Sequence, residues 1–462
     1  MKLIKMKNVL LLILAVSLCA SCQTRVYTKV LNIKANSSKV KTVFFKEKGL
    51  QKIPSIIHPD SLPQLMLFMM IKDTIPNIPV SFCDFKKLKV LILQENGLDE
   101  IPVQLRNLKR LNLLEILKNN LTSLPSSILE LGELKVLTLS NNKLLRLPEE
   151  IGNLKKIKIL SADSNFIETI PESIGELKKM TGFSLMHNQI KEIPQNIIGA
   201  NKLVSIDLSY NKIKEVPEEI IELNKLLDLN LAYNEIESIP ENIGNMKKMM
   251  SLNLMGNQIK ELPQSMANLT KIVVLHLADN EIEDIDFSFE KLTELVFLNL
   301  GDNKIKEIPS SIRGLKKITK INIANNKVEE IPDFIGDLAS LTHLYLQDNQ
   351  LQGLPTSIEK LKNLRIINLG NNQIEEFPNF LASATKIRRI LLGNNKIKTL
   401  PKSIGGLDGL THLDLSSNEL ESLPSSIQNL TNLKELNLKG NNIDEAEIEK
   451  LQKLLPRCQI LW

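Results

Sequence analysis

The sequence contains few aromatic residues. Only 4% of its 462 residues are Phe, Trp or Tyr, whereas 43% are hydrophobic. A core with this composition consists mainly of leucine and isoleucine. Such a core suits thin, regularly stacked layers better than one large globular core.

Excess charge and cysteine are also scarce. A net charge of +5, with 24% charged residues, gives no reason to expect a nucleic-acid partner. Of the four cysteines (Cys19, Cys22, Cys83 and Cys458), only Cys19 and Cys22 have the spacing of metal ligands, and both lie close to the N-terminus. We therefore predict neither a disulfide framework nor a metal site.

The N-terminal residues have the features of an export signal. Lys2, Lys5 and Lys7 form a basic start, and residues 9–18 are apolar apart from Ser17. This run is too short to span a membrane and has the length of the apolar region of a signal peptide. We therefore expect export.

The end of this segment resembles the lipobox of bacterial lipoproteins. It reads Cys19-Ala20-Ser21-Cys22, with small residues before the final cysteine. The resemblance implies cleavage before Cys22 and attachment of a diacylglycerol to its sulfur. Cys19 departs from the usual leucine, so ordinary secretion with a free Cys22 is the alternative. A lipobox ending at Cys19 would place bulky Leu18 at the cleavage point.

An asparagine recurs every 23 residues without insertion. The surrounding pattern is L-x-x-L-x-L-x-x-N-x-L-x-x-L-P-x-x-I-x-x-L-x-x, and it repeats sixteen times. Below we call these residues the ladder asparagines: Asn96, Asn119, Asn142, Asn165, Asn188, Asn211, Asn234, Asn257, Asn280, Asn303, Asn326, Asn349, Asn372, Asn395, Asn418 and Asn441.

Each part of the repeat predicts an element. In residues 137–139, two leucines alternate with a threonine, as in a strand with one buried face. Asn142 follows, and its amide can satisfy backbone groups left open by a turn. Pro148 prevents strand continuation, and Ile151 and Leu154 then have the spacing of one face of a short helix or 3₁₀ turn.

This pattern resembles the leucine-rich repeat family, over residues 43–462. The resemblance implies an α/β solenoid shaped as a horseshoe, with a concave parallel β-sheet and short helices, 3₁₀ turns or extended segments on the convex side. It also implies recognition of a protein or glycan. The 23-residue unit with its Leu-Pro or Ile-Pro step is similar to bacterial repeats.

The repeat also sets the expected domain boundaries. A degenerate unit with Asp73 in the asparagine position precedes the regular array. At the other end, Glu447 replaces the last proline, and we expect a helix, a final strand, and packing of Cys458 and Trp462 in the cap. The expected segments are a signal peptide (1–21), a lipidated cysteine and tether (22–42), degenerate repeats (43–79), regular repeats (80–443) and a C-terminal cap (444–462).

Histidine and tyrosine concentrate on the predicted concave face. The predicted outward strand positions lie six, four, two and one residues before each ladder asparagine. Four of the five histidines occupy such positions, where chance would place about one. Such amphipathic residues are common at interfaces. The candidate ligand-binding residues are His187, Tyr210, Tyr233, His276, Phe297, His343, Tyr345 and His412.

Two further surfaces are candidates for binding. The N-terminal end of the same face is apolar, and we expect either a second docking patch or a surface covered by the tether: Val90, Ile92, Leu113, Leu117 and Val136. One column just before the strands is lysine in six consecutive repeats, and it forms either an anion-binding ridge, for example for an anionic polysaccharide, or an ordinary solvated face: Lys156, Lys179, Lys202, Lys225, Lys248 and Lys271.

No catalytic constellation, metal site or cofactor-binding motif is recognisable in this array. We therefore expect a non-enzymatic protein of the bacterial cell envelope, held at the outer membrane by its lipid anchor only. It would bind a protein or glycan at the cell surface. The alternative is a periplasm-facing scaffold that holds another envelope protein; an enzyme is the least favoured hypothesis.

The lipid anchor generates a direct prediction. Cys22→Ser should move the protein from the membrane fraction to the soluble fraction, because the acyl chains supply the membrane affinity. Fractionation of cells that express each form measures this. An unchanged membrane fraction would contradict the lipobox assignment.

Overall fold

The structure, a computed structural model, describes residues 37–378, 384 and 386–462. The predicted signal peptide, Cys22 and most of the predicted tether lie outside this range. The chain forms two compact units, Met1–Leu203 (unit 1) and Val204–Trp462 (unit 2). Each described helix is too short or too polar to cross a membrane.

Unit 1 contains seven strands, each parallel to and hydrogen-bonded with the next. They are β1 (Thr42–Lys46), β2 (Leu67–Ile71), β3 (Val90–Gln94), β4 (Leu113–Glu115), β5 (Val136–Thr138), β6 (Ile159–Ser161) and β7 (Gly182–Ser184). The 3₁₀ helices between or before them are Ser37–Lys39, Val80–Asp84, Val103–Asn107, Ser126–Glu130, Ile151–Asn153, Glu172–Glu176 and Gln195–Gly199.

Unit 2 continues the same alternation with twelve parallel strands. They are β8 (Ser205–Asp207), β9 (Asp228–Asn230), β10 (Ser251–Asn253), β11 (Val274–His276), β12 (Phe297–Asn299), β13 (Lys320–Asn322), β14 (His343–Tyr345), β15 (Ile366–Asn368), β16 (Arg389–Leu391), β17 (His412–Asp414), β18 (Glu435–Asn437) and β19 (Gln459–Leu461).

Most repeats of unit 2 carry a 3₁₀ helix between strands, and one α-helix, α1 (Glu445–Leu454), lies near the C-terminus. The described 3₁₀ helices are Glu218–Glu222, Ile243–Asn245, Gln264–Asn268, Ser310–Gly314, Asp333–Asp337, Thr356–Lys360, Lys402–Gly406 and Ser425–Asn429. The repeat in which Asp286 replaces the proline has no 3₁₀ helix; there Phe287 and Phe289 pack together with ring centroids 4.6 Å apart. Each unit is therefore a parallel α/β solenoid, as the repeat predicted.

The ladder asparagines connect neighbouring repeats, as expected, and all are buried except the half-buried Asn303, Asn372 and Asn441. Asn257 donates through Nδ2 to the carbonyl oxygens of Leu231 (3.1 Å) and Leu254 (2.9 Å), and its Oδ1 accepts from the Ile236 amide at 3.0 Å. Asp73 performs only the accepting half of this role, from the amides of Lys48 and Leu50 at 2.9 Å. One buried side chain per repeat thus satisfies turn groups on both sides.

The first layer of the array forms near residue 40, and a helix and a strand form its last layer. Val40 is fully buried and β1 begins at Thr42, so the first layer starts just before residue 43. At the C-terminus, Asp444 caps α1 by accepting from the Glu447 amide at 2.8 Å, and β19 pairs with β18 as expected. The expected packing of Trp462 is wrong, because its side chain is 56% exposed.

The described cysteines, Cys83 and Cys458, are both free thiols. Burial raises the pKa of Cys83 to about 12 and that of Cys458 to about 11. Both thiols therefore remain protonated and weakly nucleophilic at neutral pH.

The ladder predicts a large effect of one polar-to-apolar change. Asn257→Leu should lower the free energy of unfolding by roughly 1–3 kcal/mol, because buried backbone groups lose their partner. Leu254→Ala, which opens a cavity at a side chain that is 1% exposed, should cost about 2–5 kcal/mol. Thermal melts measure both, with Gln258→Leu on the exposed neighbour as the control. Wild-type stability of Asn257→Leu would show that the side chain is not an internal bridge.

Candidate interaction surfaces

The regular strands are shorter than the repeat predicted. β9 and its neighbours cover only the positions six to four residues before the ladder asparagine. His187, Tyr210 and Tyr233, which we expected on strands, instead lie in the turn that follows, with φ of 54°, 57° and 55°. We call the position one residue before each ladder asparagine the turn column.

In unit 2, the left-handed backbone accounts for most residues of the turn column. Ser417 is small and polar, and eight members are Gly, Asn or Asp, which adopt positive φ readily: Gly256, Asp279, Asp302, Asn325, Asp348, Asn371, Asn394 and Gly440. The exceptions are Tyr210 and Tyr233. The sequence carried this signal as a recurrence of Asn, Asp and Gly in one column, which sequence reasoning overlooked.

The two tyrosines form a stacked pair. Their ring centroids are 4.5 Å apart with an interplanar angle of 20°, and Tyr210 is 42% exposed. The Tyr233 ring continues over the next repeat, where a Cβ on Gly256 would come within 2.4 Å of Tyr233 Cδ1. Partial burial raises the pKa of the Tyr233 hydroxyl. The two tyrosine rings thus form one continuous aromatic surface within unit 2.

In unit 2, the residue four positions before each ladder asparagine usually stabilises the local backbone with its side chain. Its Asn or Asp side chain accepts a hydrogen bond from the backbone amide two residues later, at 3.0–3.4 Å. This local turn explains the frequent Asn and Asp there. On the regular strands of unit 2, three residues at this position are neither Asn nor Asp: His276, Tyr345 and Leu391. Two of them, His276 and Tyr345, are expected binding residues.

His276 lies against Phe297 of the next strand. Their rings meet edge to face, with centroids 4.9 Å apart and an interplanar angle of 86°. Burial lowers the pKa of the His276 imidazole, which favours the neutral ring at pH 7. This pair is a second aromatic contact on the strand side of unit 2.

His343 and His412 share one local arrangement. Each begins a strand, and each Nδ1 lies near the hydroxyl of the preceding threonine, 2.7 Å for Thr342 and 2.9 Å for Thr411. His343 also lies beside Tyr345, with ring centroids 6.2 Å apart. Burial, followed by the charges of Lys320 and Arg365, lowers the pKa of His343.

The apolar patch of unit 1 is buried. Val90, Ile92, Leu113 and Val136 are 1–4% exposed and cluster with Leu67, while Leu117 is half-buried.

The first lysine of the ridge differs from the others because it is paired with an acidic residue. Lys156 forms an ion pair with Glu133 at 2.5 Å. The remaining ridge lysines, Lys179 and Lys202 in unit 1 and Lys225, Lys248 and Lys271 in unit 2, are exposed and form no ion pair with another described residue. The next position in this column, Glu294, pairs with Lys317 at 2.7 Å.

The described residues contain no group of three His, Cys, Asp or Glu side chains that could hold a metal ion. The candidate binding features of the described residues are therefore the columns of aromatic, amide and charged side chains on neighbouring strands. A model described as "leucine-rich repeat region" matches residues 80–181 and 286–390, and a second leucine-rich repeat model matches 178–236, 201–259, 247–305 and 385–443. The chain belongs to the leucine-rich repeat family.

Solved leucine-rich repeat structures are similar over most of the chain. The protein LIC12759 of Leptospira interrogans is 29% identical over 95% of this chain and 100% of its own, with a TM-score of 0.70. An internalin (InlF) of Listeria monocytogenes is 26% identical over 67% of this chain and 87% of its own, with a TM-score of 0.61. No curated protein sequence matches the chain.

A plant receptor is a third similar structure. The Arabidopsis receptor kinase HAESA, solved with the peptide hormone IDA and the co-receptor SERK1, is 25% identical over 87% of this chain and 77% of its own, with a TM-score of 0.54. Proteins of this family typically act as binding scaffolds, and a protein-interaction role fits the chain.

The position of the Tyr233 ring over Gly256 is testable. Gly256→Ala should destabilise the protein by about 2 kcal/mol or more, because a Cβ there adds left-handed strain to a clash with the ring. In a Tyr233→Ala background the same change should cost only about 1 kcal/mol. Gly353→Ala, where a Cβ would have open space, is the control. Equal costs of Gly256→Ala in both backgrounds, measured by thermal unfolding, would place the ring elsewhere.

Proposed function

We propose that this leucine-rich repeat protein is a non-enzymatic binding protein that recognises another protein through the strand side of unit 2. The observation that carries the proposal is the stacked pair Tyr210 and Tyr233. Both occupy turn positions with positive φ that the other repeats of unit 2 fill with Gly, Asn, Asp or Ser. Bulky residues in strained conformations concentrate at functional sites, and tyrosine is enriched among residues that dominate binding energy.

The neighbouring columns extend this surface. His276 with Phe297, and His343 with Tyr345, place further amphipathic rings on strands β11, β12 and β14. The receptor HAESA, whose fold is similar, was solved with a peptide hormone, which supports a protein ligand over a glycan. His412 on β17 is the remaining expected binding residue within unit 2, whereas His187 lies in the turn column of unit 1.

We also propose export to the bacterial envelope and a lipid anchor at Cys22, on the basic start, the short apolar run and the lipobox. The solenoid then acts either at the cell surface or as a periplasm-facing scaffold, and surface display is the preferred alternative. Protease treatment of intact cells separates these. Loss of the protein without lysis supports surface display, and protection supports the scaffold.

The tyrosine pair gives the central binding prediction. Tyr210→Ala and Tyr233→Ala should each weaken a protein ligand, identified by cross-linking on cells, by at least about 1 kcal/mol. Lys316→Ala, on an exposed side chain of the 3₁₀-helix side, should leave affinity unchanged. Calorimetric titration of the purified variants measures the difference. Wild-type affinity in both tyrosine variants would exclude this surface.

A second candidate function, binding of an anionic polysaccharide to the lysine ridge, is favoured by the exposed lysines that lack ion pairs. It makes the opposite prediction. Affinity would fall steeply with added salt, would respond to Lys202→Glu and Lys225→Glu, and would ignore the tyrosine changes. The same titrations at low and high salt decide between the two.

A further inference from the structure

One position just before the strands is apolar in part of unit 2, although it is polar in the other repeats. The position seven residues before each ladder asparagine is Lys, Asn, Thr or Arg in eleven of the sixteen regular repeats. In the other five it is apolar, and these five are consecutive: Val204, Leu227, Met250, Val273 and Val296. We call them the apolar stripe.

The apolar stripe is accessible. Met250 is 46% exposed and Val204 is 37% exposed, and the other three members are half-buried. Hydrophobic residues at the neighbouring positions, such as Leu252 and Met249, are at most 1% exposed and form the core. The fold does not require an apolar residue at the stripe, since Thr181, Thr319 and Thr342 occupy the same position elsewhere.

Positive charge runs along one side of the stripe. Lys225, Lys248 and Lys271 precede Leu227, Met250 and Val273 by two residues, and all three are exposed without an ion pair to another described residue. The row of lysines ends where the stripe ends. Beside Val296, the last member of the stripe, the lysine position is occupied by Glu294, which forms an ion pair with Lys317. Contiguous exposed apolar surface with a polar rim marks interaction sites.

The dimensions of the stripe identify the class of partner. Strands in a sheet are about 4.8 Å apart, so five stripe residues span about 19 Å. An α-helix places one side chain per turn on the same line, about 5.4 Å apart, so roughly 13 residues would cover the stripe. Helices that dock in this way present apolar anchors at intervals of three and four residues.

A membrane surface fits less well. Interfacial membrane anchors are rich in Trp, Tyr and Phe, whereas the stripe is Val, Leu and Met. Lysines on one side only also match a helix with one charged flank better than a lipid surface.

We propose that the apolar stripe of unit 2 docks an amphipathic α-helix of a partner protein, with Asp or Glu along the flank that faces Lys225, Lys248 and Lys271. This inference rests on the proposed binding of proteins but uses a surface distinct from the tyrosine pair. The chain would therefore engage partners on two adjoining surfaces of one unit.

Designed helices test the proposal on the purified full chain. The probe is a synthetic amphipathic helix with leucines at intervals of three and four residues and glutamates on one flank; its counterpart carries lysines instead. The acidic helix should bind at least about tenfold more tightly than the basic one, a difference of about 1.4 kcal/mol. Equal binding of the two helices, or no binding of the acidic helix, would overturn the proposal.

Matched variants locate the site. Leu227→Thr with Met250→Thr introduces a residue that the same column already contains, so the fold should persist with an unchanged Tm, and acidic-helix binding should fall about tenfold. Lys225→Glu with Lys248→Glu should reverse the preference toward the basic helix. Leu145→Thr, at a 62% exposed leucine of unit 1, is the control. Full binding by the threonine variant would exclude the stripe.

Lipid vesicles complete the test. Vesicles that contain phosphatidylglycerol should not bind through the stripe. Vesicle binding that the threonine substitutions abolish would reassign the stripe to a lipid surface and overturn the helix proposal. The tyrosine variants keep the two proposals separable, because Tyr210→Ala and Tyr233→Ala should leave binding of the helix probe unchanged.

Discussion

The structure depends on one recurring contact, the buried amide of the ladder asparagine. A chain that turns after every three-residue strand leaves backbone carbonyl and amide groups inside the molecule, and unpaired buried groups are costly. Asn326 illustrates the solution: its Nδ2 donates to the carbonyl oxygens of Leu300 and Ile323, and its Oδ1 accepts from the Ile305 amide. Because each such amide bonds to backbone groups of its own and the preceding repeat, the ladder connects adjacent layers.

The conformation of these turns restricts which residue types can occupy particular positions of the repeat. The turn forces positive φ on the residue before the asparagine, and a second local turn favours Asn or Asp four residues before it. Where a residue follows these preferences, the conformation of the backbone is enough to explain its presence. Tyr210, Tyr233, His276 and Tyr345 do not follow them, and the apolar stripe departs from the polar residues of its own column. The proposals for the tyrosine pair and the apolar stripe therefore rest on these departures together with the exposure of the side chains.

Most of the fold could be predicted from the sequence, because each repeat encodes its own layer. The spacing of 23 residues, the buried asparagines, the 3₁₀ helices after the prolines and the C-terminal helix with its last strand all follow from local patterns. The candidate site was harder to predict. The repeat pattern places His187, Tyr210 and Tyr233 on strands, because periodicity alone does not show where a short strand ends. The burial of the patch around Val90 and the exposure of Trp462 depend on surroundings that a repeat pattern does not specify.

The claim that the ladder amides hold the turns closed is tested most directly by amide hydrogen exchange in Asn326→Ala. The Ile305 amide, which donates to Asn326 Oδ1 at 2.9 Å, should exchange at least about tenfold faster, as expected when a buried hydrogen bond of about 1–3 kcal/mol is lost. The Ile236 amide, which donates to a different ladder asparagine, should keep its protection, because each repeat of a solenoid contacts only its neighbours. Unchanged protection at Ile305, or uniform loss across unit 2, would contradict the account.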